Sequence, residues 1–122
     1  MKDIFKDLFI LDMANNHQGD LIHAKNIINS FTKVIKEEKI NGVIKLQFRN
    51  LNTYIHKKFL NSQDKYVKRF SSTKLENADY KKLITLMKRK KLKTISTPFD
   101  EESIKLIQKL EIDFIKIASV SA

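Results

Sequence analysis

Short apolar runs alternate with amphipathic segments along most of this chain. Each run is short and continuous, as strands are when a parallel sheet is covered on both faces. Polar or turn-forming residues follow each run, which gives each predicted strand a defined end. The runs that predict strands cover residues 8–14, 43–48, 92–96 and 113–118.

Three segments between these strands have the period of helices with one buried face. They cover residues 21–39, 76–91 and the stretch after Asp100, and Asp20 and Asp100 have side chains that cap helix N-termini. The apolar positions of the first segment are Ala24, Ile27, Ile28, Phe31, Val34 and Ile35, and those of the second are Tyr80, Leu83, Ile84 and Met87. In the third segment we expect the inward positions to be Ile104, Ile107 and either Leu106 or Leu110.

Residues 49–74 interrupt this alternation. The segment is polar and aromatic and has no clear period. Its length inside a compact domain indicates either a functional loop or small elements that the pattern does not resolve, and the role of residues 51–74 stays open.

Strands that alternate with helices predict right-handed βαβ units and a parallel sheet, so the fold class is α/β. Four such strands are enough for the first half of a TIM (β/α)8 barrel, which typically needs about 250 residues. The sequence ends on a strand without the helix that would cover it. We therefore expect residues 1–122 to form one partial, incomplete barrel with an exposed sheet edge.

In such folds ligands bind at the carboxyl ends of the parallel strands, and each predicted strand ends in polar or charged residues. The most specific pair is Lys45 and Gln47, which lie two apart in an apolar strand and so share one face. A buried ammonium group is costly unless it is paired or binds an anion. With Lys116 in another strand and hydroxyl groups nearby, the pattern indicates a phosphate or carboxylate site, although each lysine alone could reach solvent from its strand end. The candidates at the strand ends are Asp12, Asn16, His17, Lys45, Gln47, Ser96, Thr97, Lys116 and Ser119.

Two of these candidates have structural alternatives. Asp12 could bind a sugar hydroxyl, act as a general acid or base, or cap the polar turn that follows it. His17 lies in that turn, where a histidine is more often a hydrogen-bonding turn residue than a catalyst or metal ligand. No second histidine has ligand spacing with His17, so we interpret His23 and His56 as incidental.

Composition narrows the classes of function. The chain is 42% hydrophobic, which supplies a core, and it has no cysteine, which excludes disulfides, thiolate metal sites and a cysteine nucleophile. Its formal charge is +10, and a nucleic-acid binder would use the basic cluster over residues 88–93. Because lysines are spread over nearly the whole length, we interpret the charge as a solvated surface. The N-terminus has neither a signal-peptide core nor a membrane-spanning run, so we expect a cytoplasmic protein.

Four motifs in series resemble the N-terminal half of the N-acetylneuraminate (sialic acid) synthase family. They are N-N-H-Q-G-D after the first strand, I-K-L-Q in the second, I-S-T-P-F-D-E-E-S at the third and D-F-I-K-I-A-S at the fourth. The similarity runs from Phe9 to Ser119, and residues 51–74 carry little of it. One motif alone would be weak evidence, whereas four in this order are specific.

The resemblance implies a (β/α)8-barrel enzyme that condenses phosphoenolpyruvate with an N-acetylated hexosamine such as N-acetylmannosamine to give a sialic-type acid and phosphate. It also implies a divalent metal, Mn²⁺ or Mg²⁺, whose ligands belong to later barrel strands and not to this chain. The positions that match phosphoenolpyruvate-binding residues are Lys45, Thr97, Lys116 and Ser119, and those that match the sugar side are Asp12 and Gln47. The resemblance thus implies Asp12 and Lys116 as catalytic residues and Lys45, Gln47, Thr97, Ser119 and Asn16 as substrate-binding residues.

The sequence departs from the family pattern near the sugar. The family usually has Glu where this chain has Asp12, and it commonly has Gly-Glu where this chain has Val120 and Ser121. The phosphoenolpyruvate half of the pattern is therefore kept better than the sugar half. This favours a different acceptor sugar or a divergent member of the family.

Other interpretations stay open. An inactive half-barrel would act as an interaction module by pairing with a second copy or with a separately encoded C-terminal half. Another phosphate-binding TIM-barrel enzyme, such as an aldolase, remains within the enzyme class. We expect residues 1–122 to be an N-terminal piece that lacks synthase activity by itself.

Overall fold

The computed structural model describes residues 3–50, 56–59 and 61–122 of the chain. The strands are β1 (Leu8–Asp12), β2 (Asn41–Phe48), β3 (Thr94–Pro98) and β4 (Phe114–Ile115). The helices are α1 (Leu21–Glu37), α2 (Lys65–Ser72), α3 (Asn77–Arg89) and α4 (Glu101–Lys109), and two 3₁₀ turns cover Lys57–Phe59 and Ser119–Ser121. Of the two alternatives for residues 49–74, the structure shows small elements, namely α2 and one 3₁₀ turn, while residues 51–55 and 60 lie outside the described part.

All four strands run parallel in one sheet, in the order β1-β2-β3-β4. Each strand pairs with the next one along the chain, which is the order that successive right-handed βαβ units produce. Within the described residues β1 and β4 each have a strand on one side only, so the barrel is not closed. The predicted α/β fold, with parallel strands that match the first part of a barrel, is confirmed.

The helices α1, α3 and α4 pack against one face of this sheet and form the hydrophobic core with it. α1 contributes Ile28, α3 contributes Leu83 and Met87, and β2 contributes Ile44 and Leu46, all of which are fully buried. Burial of side chains of this size stabilises the fold by roughly 1.5–3 kcal/mol each. The apolar face predicted for α3, residues Tyr80, Leu83, Ile84 and Met87, is buried as expected. No described helix has the length and apolar content needed to cross a membrane.

Two residues predicted to face the core are exposed instead. Val34 of α1 points outward, because Thr32 and Ile35 occupy the buried positions of that turn. Ile104 of α4 is also exposed, since Ser103 and Ile107 face the sheet. Of the two alternatives for α4, Leu110 is the buried residue and Leu106 is half-buried.

The first strand is shorter than predicted. β1 ends at Asp12 because its carboxylate oxygen Oδ1 accepts a hydrogen bond from the Ala14 amide at 3.1 Å, which turns the chain. Ala14 has φ of 45°, a left-handed conformation that no strand residue adopts. Gly19, with φ of 76°, closes the same polar turn, and its Cα lies against the backbone that follows α2. The turn N-N-H-Q-G is thereby fixed beside the carboxyl ends of the strands.

Candidate functional site

The register of the sheet brings several predicted site residues onto one face. Asp12 lies opposite Lys45 across β1 and β2, and Gln47 lies opposite Thr97 across β2 and β3. Register partners in a parallel sheet project to the same side, and residues two apart in a strand do so too. These four side chains therefore share the face that points away from the helices, which we call the inner face. They lie at the carboxyl ends of the strands.

Lys45 is nearly buried and forms an ion pair within the chain. Its side chain is 11% exposed, and its Nζ lies 2.8 Å from Oδ2 of Asp12, whose side chain is 41% exposed. The expectation that a buried ammonium needs an anionic partner holds, but in this structure Asp12 supplies that partner. Because Oδ1 of Asp12 also accepts from the Ala14 amide, the same carboxylate caps the turn and neutralises the lysine.

Thr97 presents a buried hydroxyl to the inner face. The residue is 3% exposed, and its Oγ1 has no hydrogen-bond partner among the described residues. A buried polar group without a partner costs about 1–3 kcal/mol, so such groups in native proteins usually have a ligand, a water or a functional reason. Together with Lys45 and the half-buried Gln47, this hydroxyl can serve an oxygen-rich ligand.

Of the remaining candidates, Lys116 is bonded to its own loop, and Ser96 faces the helices instead, where its buried Oγ donates to the carbonyl of Leu46 at 3.1 Å. Lys116 follows β4 and continues the parallel ladder, since its amide donates to the Ser96 carbonyl at 3.0 Å. Its Nζ donates to the carbonyl of Ile117 at 3.1 Å, near the surface. Ser119 and Asn16 are exposed. The structure thus places Asp12 and Lys45 in contact and Gln47 and Thr97 side by side, while Asn16 follows the end of β1 and Lys116 and Ser119 follow the end of β4.

His17 is a buried turn residue, as the sequence suggested. It is 1% exposed, and its Nδ1 accepts a hydrogen bond from the Gly19 amide at 3.0 Å. Burial lowers the pKa of His17 below its ordinary value of 6.5, and the nearby His23 lowers it further. The neutral ring, with a proton on Nε2, is therefore the form that fits this turn.

Tyr80 links this turn to Gln47, and sequence analysis identified it only as a core residue of a helix. The rings of His17 and Tyr80 meet edge to face with their centroids 6.5 Å apart, and Tyr80 also packs on Phe48 at 4.5 Å. The Tyr80 hydroxyl donates to the carbonyl of Gln47 at 3.3 Å. Burial raises the pKa of Tyr80 to about 12, so this hydroxyl keeps its proton at neutral pH. No sequence spacing between residues 17, 47 and 80 could have revealed this connection.

Arg49 joins the loops that follow β2 and β3. The guanidinium carbon lies 4.0 Å from the ring centroid of Phe99 and 4.5 Å from that of Phe70 in α2. Such cation–π contacts are worth about 0.5–2 kcal/mol each. The amide of Asn50 donates to Oδ2 of Asp100 at 2.7 Å, which ties the same two loops. Side-chain stacking thus holds α2 near the carboxyl end of the sheet.

A cavity of about 430 Å³ lies close to these loops, but on the helix side of the sheet. It is bounded by the end of β2 and the first residues of α3 and α4, including Phe48, Asn77 and Ser103. Lys45 and Thr97 do not line it. The candidate chemistry therefore belongs to the inner face and not to this cavity.

His, Asp and Glu side chains are spread over the described part of the chain. No three His, Asp or Glu side chains in that part of the chain lie close enough together to hold a metal ion. The described residues thus supply no such group, and the family resemblance implies that the ligands of the divalent metal lie on later strands of the barrel.

The chain is similar in sequence and structure to known proteins. The sequence profile of the NeuB family matches residues 33–122. A solved structure of spore coat polysaccharide biosynthesis protein E from Chromobacterium violaceum ATCC 12472 is 44% identical, with a TM-score of 0.88, and the match covers 94% of this chain and 34% of that one. A comparison with curated proteins gave no match.

Two more distant structures are similar in fold. One is N-acetylneuraminic acid (sialic acid) synthetase from Leptospira borgpetersenii serovar Hardjo-bovis, solved in complex with citrate, at 22% identity and a TM-score of 0.73, covering 93% of this chain and 36% of that one. The other is spore coat polysaccharide biosynthesis protein SpsE from Bacillus subtilis, at 20% identity and a TM-score of 0.60, covering 92% of this chain and 29% of that one. This chain thus spans about a third of the length of the solved structures that it matches.

Proposed function

This chain belongs to the NeuB family, and from that premise we propose that residues 1–122 form one domain, the N-terminal half-barrel of a phosphoenolpyruvate-dependent synthase. The enzyme condenses phosphoenolpyruvate with an N-acetylhexosamine-type aldose and gives a nonulosonic acid and phosphate. The observation that carries the proposal is the inner face shared by Asp12, Lys45, Gln47 and Thr97 at the carboxyl ends of the strands. The departures from the family pattern at Asp12 and Val120 favour a different acceptor sugar or a divergent member of the family.

The anionic substrate is assigned to the lysine side of this face. Phosphoenolpyruvate is small and multiply charged, and a nearly buried ammonium such as that of Lys45 attracts it more strongly than a solvated lysine would. The buried hydroxyl of Thr97 gains a hydrogen-bond acceptor when the anion is bound. Lys116 and Ser119 lie at the same strand ends and complete the set of donors for its phosphate and carboxylate.

The sugar is assigned to the Asp12 and Gln47 side. In the reaction the methylene carbon of phosphoenolpyruvate forms a bond to the aldehyde carbon of the open-chain sugar, water adds to the carbon that carries the phosphate, and phosphate leaves. One proton of this water goes to the aldehyde oxygen and the other leaves with the phosphate. Lys116 stabilises the negative charge on the phosphoenolpyruvate part, and Asp12 relays the water proton to the aldehyde oxygen. The side chain of Gln47, held through its carbonyl by Tyr80, orients the acceptor.

The test is the loss of anion binding when the ammonium of Lys45 is removed. Lys45→Met keeps most of the aliphatic stem, and Asp12, which is 41% exposed, is then solvated by water, so we expect the fold to persist. Affinity for phosphoenolpyruvate, measured by isothermal titration calorimetry on protein expressed from the complete reading frame, is expected to fall about 100-fold, on the order of 2–3 kcal/mol.

Lys93→Met is the matched control, because Lys93 is an exposed lysine just before the amino end of β3. It should bind phosphoenolpyruvate as the wild type does. Equal affinity of the wild type and Lys45→Met would show that Lys45 is only a solvated strand-end lysine.

A further inference from the structure

We propose that Asp12 is the resident counter-ion of Lys45 and competes with the incoming substrate anion for its ammonium group. The inference rests on the proposed function, because it takes Lys45 as the group that binds the anion. Its basis is the 2.8 Å contact between Asp12 Oδ2 and Lys45 Nζ, made by two residues that are direct register partners in β1 and β2. The ammonium that the anion needs is therefore already paired.

The two partners of this ion pair differ in burial. Lys45 is almost enclosed, at 11% exposure of its side chain, whereas Asp12 is 41% exposed and lies on the solvent side of the pair. An enclosed ammonium without a counter-ion is unfavourable, and Asp12 removes that cost while the site is empty. A half-exposed carboxylate is already partly solvated, so the loss of its contact with Lys45 costs it little. The ion pair is thus easy to open from the Asp12 side and hard to open from the Lys45 side.

A phosphate or carboxylate that approaches Lys45 meets the charge of Asp12 at the same ammonium. Two anions that share one cation at this distance repel each other, so the ligand must displace Asp12 or bind more weakly beside it. The charge of Lys45 is compensated in both states, by Asp12 in the empty site and by the ligand in the filled one. Asp12 therefore lowers the affinity for every anion at this site and favours ligands of higher charge.

The alternative is that Asp12 only holds Lys45 in place, and the two ideas predict opposite results for Asp12→Asn. Asn keeps the shape and can still accept from the Ala14 amide, so the turn after β1 is preserved. If Asp12 competes with the ligand, Asp12→Asn binds inorganic phosphate and phosphoenolpyruvate about tenfold more tightly than the wild type does. If Asp12 only positions Lys45, the same variant binds both more weakly, and that result would overturn the inference.

The experiment is calorimetric titration of the protein, expressed from the complete reading frame, with inorganic phosphate and with phosphoenolpyruvate at one fixed ionic strength. Asp20→Asn is the control for the change of net charge, because Asp20 is an exposed N-cap of α1 and Asn caps helices equally well. Its affinity for phosphate should equal that of the wild type. Asp12→Asn combined with Lys45→Met should lose the gain seen in Asp12→Asn.

The results separate this inference from the proposed function. Loss of binding in Lys45→Met with unchanged or weaker binding in Asp12→Asn would refute the counter-ion role and leave the anion site standing. Unchanged binding in Lys45→Met would remove the anion site itself. Should Asp12→Asn fold poorly, Asp12→Ser keeps an acceptor for the Ala14 amide, and the rise of its melting temperature with phosphate must exceed that of the wild type. An equal or smaller rise counts against the inference.

Discussion

At the scale of single residues, the surroundings of His17 disfavour its protonation. Its ring is buried in the turn after β1, and its Nδ1 accepts from the Gly19 amide, which a protonated ring could not do. Burial lowers the pKa of His17 in the folded protein below the ordinary value of 6.5 that applies in the unfolded chain. Between those two pKa values the unfolded state binds more protons than the folded state.

We therefore expect stability to fall as the pH drops from about 7.5 to 5.5. The contribution of His17 to the free energy of unfolding is fully present above the pKa of 6.5 that the residue has in the unfolded chain. It is lost as the pH falls toward the lower pKa of the folded state, at up to about 1.4 kcal/mol per pH unit. Urea unfolding of the wild type and of His17→Asn at both pH values measures it, and His17→Asn should show the smaller pH dependence. The control is His56→Asn, because His56 is exposed. Identical pH dependence in the wild type and His17→Asn would disprove this role.

At the scale of elements, the contact between α1 and β2 depends on the absence of a side chain at Gly42. A Cβ at this position would lie 2.6 Å from Cγ1 and 2.9 Å from Cδ1 of Ile35, which is a core residue of α1. Carbon atoms cannot approach so closely, so at Gly42 the side chain of Ile35 lies nearer to the strand than any residue with a Cβ would allow. This contact thus helps to position α1 relative to β2, the strand that also contains Lys45.

Gly42→Ala is expected to destabilise the protein by about 1–3 kcal/mol, because the added methyl group overpacks the interface. The free energy of unfolding from urea titration checks this value. Ile35→Ala removes the atoms that the new Cβ would strike, so Gly42→Ala should cost clearly less in that background than in the wild type. Equal costs in both backgrounds would mean that the effect of Gly42→Ala comes from the backbone and not from this contact.

At the scale of the whole molecule, both edges of the sheet are open within the described residues. β1 exposes Phe9 and Ile10, and β4 and the residues after it expose Ile115 and Ile117. Strand edges with exposed apolar side chains are templates for further strands. The solved structures that match this chain are about three times as long as it is. The half-barrel that needs a partner therefore remains the second interpretation of residues 1–122.

We expect residues 1–122, assayed by themselves, to lack synthase activity. In the proposed function the inner face is one side of the substrate site, and the opposite side of the barrel mouth comes from other strands. The measurement is phosphate release from phosphoenolpyruvate in the presence of N-acetylmannosamine, followed against time. Lys45→Met of the same chain is the blank for release that does not use the site. The expectation would be refuted if residues 1–122 released phosphate at the rate of an intact synthase and Lys45→Met did not.

Much of this architecture could be predicted from the sequence. Short apolar runs that alternate with amphipathic segments predicted parallel strands between helices. A strand buried on both faces is apolar throughout, whereas a helix buried on one face is apolar only along one stripe. The spacing of Lys45 and Gln47 placed them on one face, since side chains in a strand alternate. The caps at Asp20 and Asp100 were predicted and are confirmed, with bonds to the amides of His23 and Ser103.

Contacts between distant segments depended on the tertiary structure, because a one-dimensional pattern carries no distance between them. The pairing of Lys45 with Asp12, the bond from Tyr80 to Gln47 and the stacking of Arg49 each join residues more than twenty positions apart. Val34 and Ile104 were placed wrongly because helical period gives an apolar stripe and not its orientation on the sheet. The sequence by itself determined which polar and charged groups lie at the strand ends. Only the packed sheet decided that the charge of Lys45 is already balanced when no ligand is bound.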